Sequence, residues 1–275
     1  MAPIISHALA KVNLALRITG KDDDGYHTMQ SIFVFLKDVY DELTFFPEEE
    51  FNENSAKIPG VDDNLIVKAY KILKDNFNFK IPHVEIKKNI PMCGGLGGGS
   101  SDAACFINSV FDFWGFSSRD KISVIELFRS LGADTKVFLF KYFFDCRSVY
   151  INGTGLFGEI SEFDEFDFDD LYVVVANNGA KLSTKEVYKN LEGDYCEELE
   201  DRFDLLEDCQ NSLEMAAIKL EPSLFGIILE LLDSGAMLAR VSGSGATCYG
   251  LYGSKTKAQK AKKALNYPFV EISRI

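Results

Sequence analysis

Residues 91–104 read PMCGGLGGGSSDAA, with five glycines in the six positions from Gly94 to Gly99. Glycine-rich backbone is entropically costly to order, so it is kept where φ must be positive or where another group touches the main chain. The flanks narrow the choice. HVEIKKNI (83–90) reads as a strand, and Ala103, Ala104, Phe106 and Ile107 read as a helix with Ser100 or Ser101 as its expected N-cap. A helix N-terminus offers unpaired N–H groups and a partial positive charge, and preceding glycines let several N–H groups converge on one anion. A phosphate cradle is the expected reading, with a mobile connector or hinge as the alternative. Two familiar fingerprints are absent. Ser100 stands where a Walker A loop needs lysine, and a dinucleotide pattern begun at Gly95 would need glycine at 100.

The rest of the chain reads as α+β. Ala8, Ala10, Val12, Leu14 and Leu16 alternate with Lys11, Asn13 and Arg17 as the two faces of an early strand. A polar loop, GKDDDGYH, follows, and then two strands are expected, SIFVFL (31–36) and DELTFF (41–46), joined by a short turn. PEEEFNEN (47–54) reads as an acidic loop, Asp62-Asp63-Asn64 as the start of a helix, and 120–131 as a helix stopped by Gly132. The acidic, aromatic stretch EISEFDEFDFDD (159–170) is expected to connect two domains, 1–158 and 159–275. Beyond it come the strand LYVVVAN, helical patterns across much of 183–234, the strands MLARVSG and ATCYGLYG, a cationic helix (SKTKAQKAKKAL) and a last strand, FVEISRI. That order suits a ferredoxin-like sandwich.

Charge and composition exclude several classes. A net charge of −13 repels nucleic acid and anionic membranes, and no run of 18 apolar residues occurs. The six cysteines contain no CxxC pair and read as free thiols. The N-terminal stretch lacks a basic leader, and cytoplasm is the expected compartment.

If the loop cradles a triphosphate, chemistry needs a positive charge and a carboxylate from elsewhere. Lys11, among apolar neighbours with Asn13 facing the same way, is one candidate; a solvent-facing lysine on an edge strand is the alternative. Asp134, just past Gly132-Ala133, is the other; a turn-forming aspartate is its alternative.

Lys11-Val12-Asn13-Leu14, Asp24-Gly25-Tyr26-His27, Asp63-Asn64-Leu65-Ile66, the glycine loop, Leu131-Gly132-Ala133-Asp134 and Ser242-Gly243-Ser244-Gly245-Ala246 occur in the order of one family. The chain resembles the GHMP small-molecule kinases and, through KxN plus DGYH, the 4-diphosphocytidyl-2-C-methyl-D-erythritol kinases among them. The resemblance implies a two-domain fold, an N-terminal nucleotide-binding α+β domain and a C-terminal ferredoxin-like sandwich. It implies phosphorylation by ATP, with Mg²⁺, of the 2-hydroxyl of a cytidine diphosphate-linked methylerythritol, in the non-mevalonate route to isoprenoid precursors. Asp134 would be the general base and Lys11 its charged partner. Asn13 would hold the methylerythritol end, while Tyr26 stacks on cytosine and His27 hydrogen-bonds it. Pro91, Met92, Cys93, Gly94, Gly95, Leu96, Gly97, Gly98, Gly99, Ser100 and Ser101 would wrap the ATP phosphates, and Asn64 would lie near adenine unless it is simply the N-cap of its helix. Gly243 and Gly245 would form a second glycine turn beside the active site. Metal ligands are unassigned, and a monomer or weak homodimer is expected.

Two departures stand out: Thr135-Lys136 replace a common Val-Pro, and Cys93 replaces a frequent glycine. The rival readings are another GHMP kinase, of homoserine, mevalonate or galactose type, and a non-catalytic nucleotide-binding module.

Overall fold

The early alternating segment forms one long strand, β1 (Ile4–Lys21), and both of its faces are buried from Ala10 to Arg17. The computed structural model describes residues 2–53, 64–78, 80–115, 121–154, 158–164, 168–193, 195–199, 204–205 and 207–275. By packing, the chain divides into two compact units that interleave in sequence. One comprises Met1–Leu9, Tyr40–Asn89 and Gly97–Cys146; the other comprises Ala10–Val39, Ile90–Leu96 and Arg147–Ile275. This partition follows contacts and cuts across the sequential boundary at 158/159.

The expected pair of strands at 31–36 and 41–46 is a single strand, β2 (His27–Glu50). The intervening Lys37-Asp38-Val39-Tyr40 contains no glycine, proline or asparagine to reverse the chain, so the backbone stays extended. The strand also takes in Pro47–Glu50, the start of the expected acidic loop.

In the first unit, the second half of β2 pairs antiparallel with β3 (Pro82–Lys87), Glu42 opposite Lys87 and Phe46 opposite His83. Helix α1 (Leu65–Asn76) starts at the Asn64 cap and buries Ile66, Ala69 and Leu73, spaced three and four residues apart. Asp62 and Asp63, expected to open it, lie outside the described residues. Helix α2 (Gly98–Phe113) packs on α1 and on α4 (Ala133–Phe144). Between them run α3 (Lys121–Leu127) and a 3₁₀ turn (Arg129–Leu131) that ends at Gly132, as read from sequence. Phe106 of α2 stacks against Phe45 and tilts against Phe51, so aromatic packing fixes this face of α2.

In the second unit, residues 28–34 of β2 pair with β4 (Ser148–Thr154), which pairs with β5 (Glu159–Glu162). The start of the expected acidic connection is therefore a strand, because its alternating residues find backbone partners on β4. A second, antiparallel sheet has the order β7 (Leu238–Val241), β8 (Cys248–Tyr252), β6 (Tyr172–Asn177), β9 (Phe269–Arg274). This is the strand order of a ferredoxin-like sandwich. Strand periodicity divides its side chains between two cores. Val174, Ala176, Cys248 and Tyr252 pack with residues of α6 (Glu214–Leu220), α7 (Ser223–Asp233) and α8 (Lys255–Ala264). Val173, Val175, Tyr249 and Leu251 pack with Ala10, Val12, Ile32 and Val34 of β1 and β2. The helical patterning expected across 183–234 is realised in α5 (Thr184–Lys189), α6 and α7. Cys196, Gln210 and Ser212, between α5 and α6, instead donate or accept main-chain bonds with Leu16 and Ile18 of β1.

Candidate active site

β1 is extended, so side chains two residues apart share a face. Lys11 Nζ donates to Asn13 Oδ1 at 2.6 Å, Asn13 Nδ2 donates to Ser31 Oγ at 2.9 Å, and Ser31 Oγ donates to Ala15 O at 2.7 Å. Lys11 and Asn13 are each 3% exposed and Ser31 is fully buried. The alternative of a solvent-facing lysine is thereby removed. The Lys11 ammonium also lies 5.3 Å from the ring centroid of Phe33, on the electron-rich side an ammonium prefers.

The turn between β7 and β8 reaches this pair. Gly243 (φ 56°) and Gly245 (φ 79°) take left-handed conformations. A Cβ placed on Gly243 would stand 3.1 Å from Asn13 Oδ1 and 3.5 Å from Lys11 Nζ. Asn211 Nδ2 holds the turn from outside, donating to Val241 O and Gly243 O at 2.8 Å each.

The same unit holds the first half of the glycine loop. Lys11 N donates to Leu96 O at 3.1 Å, Thr247 N to Gly94 O at 3.0 Å, and Ser242 Oγ to Gly95 O at 3.0 Å. Gly95 has φ 76°, and a Cβ there would lie 2.2 Å from Ser242 O, so the site admits no side chain. These ties bring Lys11, Asn13, Gly95 and Gly243 together. Pro91 is half-buried, and Met92 and Cys93 are exposed. Cys93 adopts φ 55°, the conformation its glycine counterpart takes without strain, at a cost of about 1–2 kcal/mol.

The second half of the loop belongs to the first unit. The expected serine N-cap is corrected here: α2 begins at Gly98, its cap is Gly97 at φ 72°, and no side chain caps it. Left-handed geometry at Gly97 turns the chain into the helix three residues before Ser100. Ser101 is instead buried, its hydroxyl 3.0 Å from Tyr142 Oη. The first turn of α2 carries no acidic residue, which leaves its N–H groups and dipole available to an anion. Gly99 is exposed, and a Cβ there would meet nothing within 4 Å.

Asp134 is half-buried in the first turn of α4, entered through Gly132 at φ 108°. The departures after it are accommodated inside the unit. Thr135 Oγ1 donates to Leu131 O at 3.4 Å, and buried Lys136 pairs with Glu126 Oε1 at 2.9 Å. Asn64 serves as the N-cap of α1, its Oδ1 accepting from Ile66 N at 2.9 Å.

In the second unit, the loop before β2 is shaped by Asp22 Oδ1, which accepts from Asp24 N (3.1 Å) and Tyr26 N (2.8 Å). Tyr26 projects with 63% exposure, an aromatic face without cover. His27 tilts against Tyr188 at 5.4 Å between centroids. Partial burial, helped by the charge of Lys21, lowers the pKa of its imidazole from the ordinary histidine value.

Sequence reasoning missed Ser31 and Asn211, took Ser242 only as part of a motif, and also missed a buried cluster of Lys88, Asp41 and Asp102. Asp102 stood inside the quoted glycine stretch, read only as part of a helix start. Among the described residues, no group of three or more His, Cys, Asp or Glu side chains has the arrangement of a metal site.

Comparison with known proteins shows the family. The model of the GHMP kinases N-terminal domain matches residues 64–140, and that of the GHMP kinases C-terminal domain matches 196–271. The chain is 33% identical over 282 residues to the 4-diphosphocytidyl-2-C-methyl-D-erythritol kinase of Parvibaculum lavamentivorans, covering 96% of this chain and 93% of the relative. It is 31% identical to that of Rhizobium etli, over 96% of this chain and 90% of the relative. A crystal structure of a 4-(cytidine 5'-diphospho)-2C-methyl-D-erythritol kinase superposes with a TM-score of 0.80 at 26% identity, covering 98% of each chain.

Proposed function

The chain belongs to the 4-diphosphocytidyl-2-C-methyl-D-erythritol kinase family of GHMP kinases, and from that premise we propose how its residues divide the work. It is an ATP-dependent kinase that phosphorylates the 2-hydroxyl of 4-diphosphocytidyl-2-C-methyl-D-erythritol, a step in non-mevalonate isoprenoid precursor synthesis. The homoserine, mevalonate and galactose alternatives are not favoured, nor is a non-catalytic module.

The observation that carries the residue assignment is the buried Lys11–Asn13–Ser31 chain under the Gly243 turn. An ammonium so enclosed, with its hydrogen-bond partner fixed, is a preoriented positive charge of the kind phosphoryl transfer needs. The acceptor oxygen attacks the γ-phosphorus, the bond to the β,γ-bridging oxygen breaks and ADP leaves. Asp134 takes the hydroxyl proton. Lys11 stabilises negative charge on the acceptor oxygen, and Asn13 orients the methylerythritol unit. Exposed Tyr26 stacks on cytosine, and His27 hydrogen-bonds its edge. Pro91–Ser101 surround the triphosphate, whose charge is met by the uncapped start of α2. Gly243 keeps a side chain away from Lys11 and Asn13, Gly245 completes the glycine turn, and Asn64 adds an adenine contact to its capping role.

Mg²⁺ accompanies ATP and offsets phosphate charge when bound. It would arrive with ATP, since Mg²⁺ keeps waters and needs few protein ligands. The two family-model matches fall on either side of 158/159 and support a nucleotide domain at 1–158 and a substrate and closure domain at 159–275. Cys93, Cys105, Cys196, Cys209 and Cys248 are thiols, which supports a reducing cytoplasm, and we read the enzyme as a monomer or weak homodimer.

Lys11→Met tests the assignment. It should abolish turnover while ATP and CMP still bind; turnover within a factor of about two of the parent overturns it.

A further inference from the structure

In the first unit, Lys88 lies just before the glycine loop and its ammonium holds two carboxylates at once. It donates to Asp41 on β2 and to Asp102 Oδ2 on α2, the latter at 2.5 Å. Asp41 also accepts from Asn89 N at 2.5 Å, and Asn89 Nδ2 donates to Tyr40 O at 3.0 Å. Asp41 is fully buried and Asp102 is 1% exposed. Asp102 Oδ1 has no hydrogen-bond partner.

For stability alone this arrangement is poor. Two buried carboxyl groups share one ammonium, and apolar residues of similar volume usually serve a core as well or better. What an ion cluster supplies is a defined geometry, because each hydrogen bond fixes both distance and direction. Its location gives that geometry a use. Asp102 is the fifth residue of α2, one turn beyond Gly98 and Gly99. Its neighbour Ser101 is tied to Tyr142 Oη at 3.0 Å, and that oxygen accepts from Leu9 N at 2.9 Å. The start of α2, which has no side-chain cap, is thus fixed by polar ties to its second turn.

We propose that Lys88, by gripping Asp41 and Asp102, is a positioning residue for ATP: it sets the first turn of α2 so that the N–H groups of Gly98, Gly99 and Ser100 face the phosphates in one orientation. This rests on the reading that Gly97–Ser101 contact the triphosphate. Lys88 acts through Asp102 and the helix.

Equilibrium binding of ATP and of CMP, measured by calorimetry on the full chain, tests the proposal with three variants. Asp102→Ala removes the helix end of the tie and should weaken ATP by about tenfold while CMP affinity stays within about twofold. Asp102→Asn keeps an oxygen that accepts from Lys88 and should restore ATP affinity to within about threefold of the parent. A general loss of structure would lower both ligands together and would not be rescued by asparagine, so either of those results overturns the proposal. Gly97→Ala, which forces a side chain into φ 72°, reports on the loop itself. If it weakens ATP while Asp102→Ala does not, the positioning role is wrong and the loop reading stands. If it leaves ATP affinity unchanged, the loop reading fails and the proposal fails with it.

Discussion

Gly99→Ala separates what the glycine loop does for folding from what it does for ATP. Gly99 is the second residue of α2, has helical backbone and is exposed, and an added Cβ meets no heavy atom within 4 Å. Nothing in the fold requires glycine there. Alanine narrows the unfolded ensemble and is the better helix former, so the variant should gain about 0.4–1 kcal/mol in urea-induced unfolding. The same methyl group occupies the space through which a phosphate oxygen would approach the first-turn N–H groups. Losing one hydrogen bond to a charged oxygen costs about 1.5–3 kcal/mol, so the KM for ATP should rise by roughly ten- to a hundredfold. The KM for the cytidyl substrate should stay put. A variant that is more stable and poorer only in ATP use supports the cradle. Unchanged ATP use in the stabilised variant refutes it.

Gly95→Ala should behave in the opposite way: φ 76° and a contact of 2.2 Å with Ser242 O predict a loss of about 3 kcal/mol or an insoluble product, read by the same unfolding assay. Asp134→Asn should unfold like the parent while turnover falls by about 10²–10⁴, the usual contribution of general base catalysis; near-parental turnover contradicts its role. Tyr26→Ala should weaken CMP by about 1–3 kcal/mol with ATP binding unchanged, measured by calorimetry. Burial pushes the Asp102 carboxyl up to about 7, against the pull of Lys88 and with Asp41 adding to the rise. A raised folded-state value favours the protonated form, so this contribution is complete below the ordinary value of 3.8 and is lost as pH climbs through about 7. The melting temperature of Asp102→Asn relative to the parent should therefore increase between pH 5 and pH 8, and a constant difference contradicts the assignment.

How much was legible in the sequence depended on the range of the interaction. The second sheet was readable because LYVVVAN is a continuous apolar run of the buried-strand type and β7 and β8 flank a Gly-Ser-Gly turn. Lys11, Asn13 and Asp134 were candidates because a triphosphate cradle needs a positive charge and a carboxylate from elsewhere, the family pattern gave them roles, and their local environments then emerged from packing. The burial of Lys11 was not readable, because Ser31, which ends its hydrogen-bond chain, comes from another strand. The start of α2 was misplaced because Ser100-Ser101 look like caps, whereas a left-handed Gly97 performs the turn. Lys88, Asp41 and Asp102 escaped notice for the same reason as Ser31. Lys88 is 47 residues from Asp41 and 14 from Asp102, and only the pairing of β2 with β3 and the placement of α2 unite them.

The most direct test of the central claim is ADP release by the purified chain with ATP, Mg²⁺ and a panel of alcohols, followed by phosphorus NMR of the product. 4-Diphosphocytidyl-2-C-methyl-D-erythritol should drive release of one ADP per substrate consumed and gain a phosphomonoester on its 2-hydroxyl, with CMP competing. ADP release driven by homoserine, mevalonate or galactose and not by the cytidyl substrate would contradict the account, as would ATP binding with no transfer to any of them.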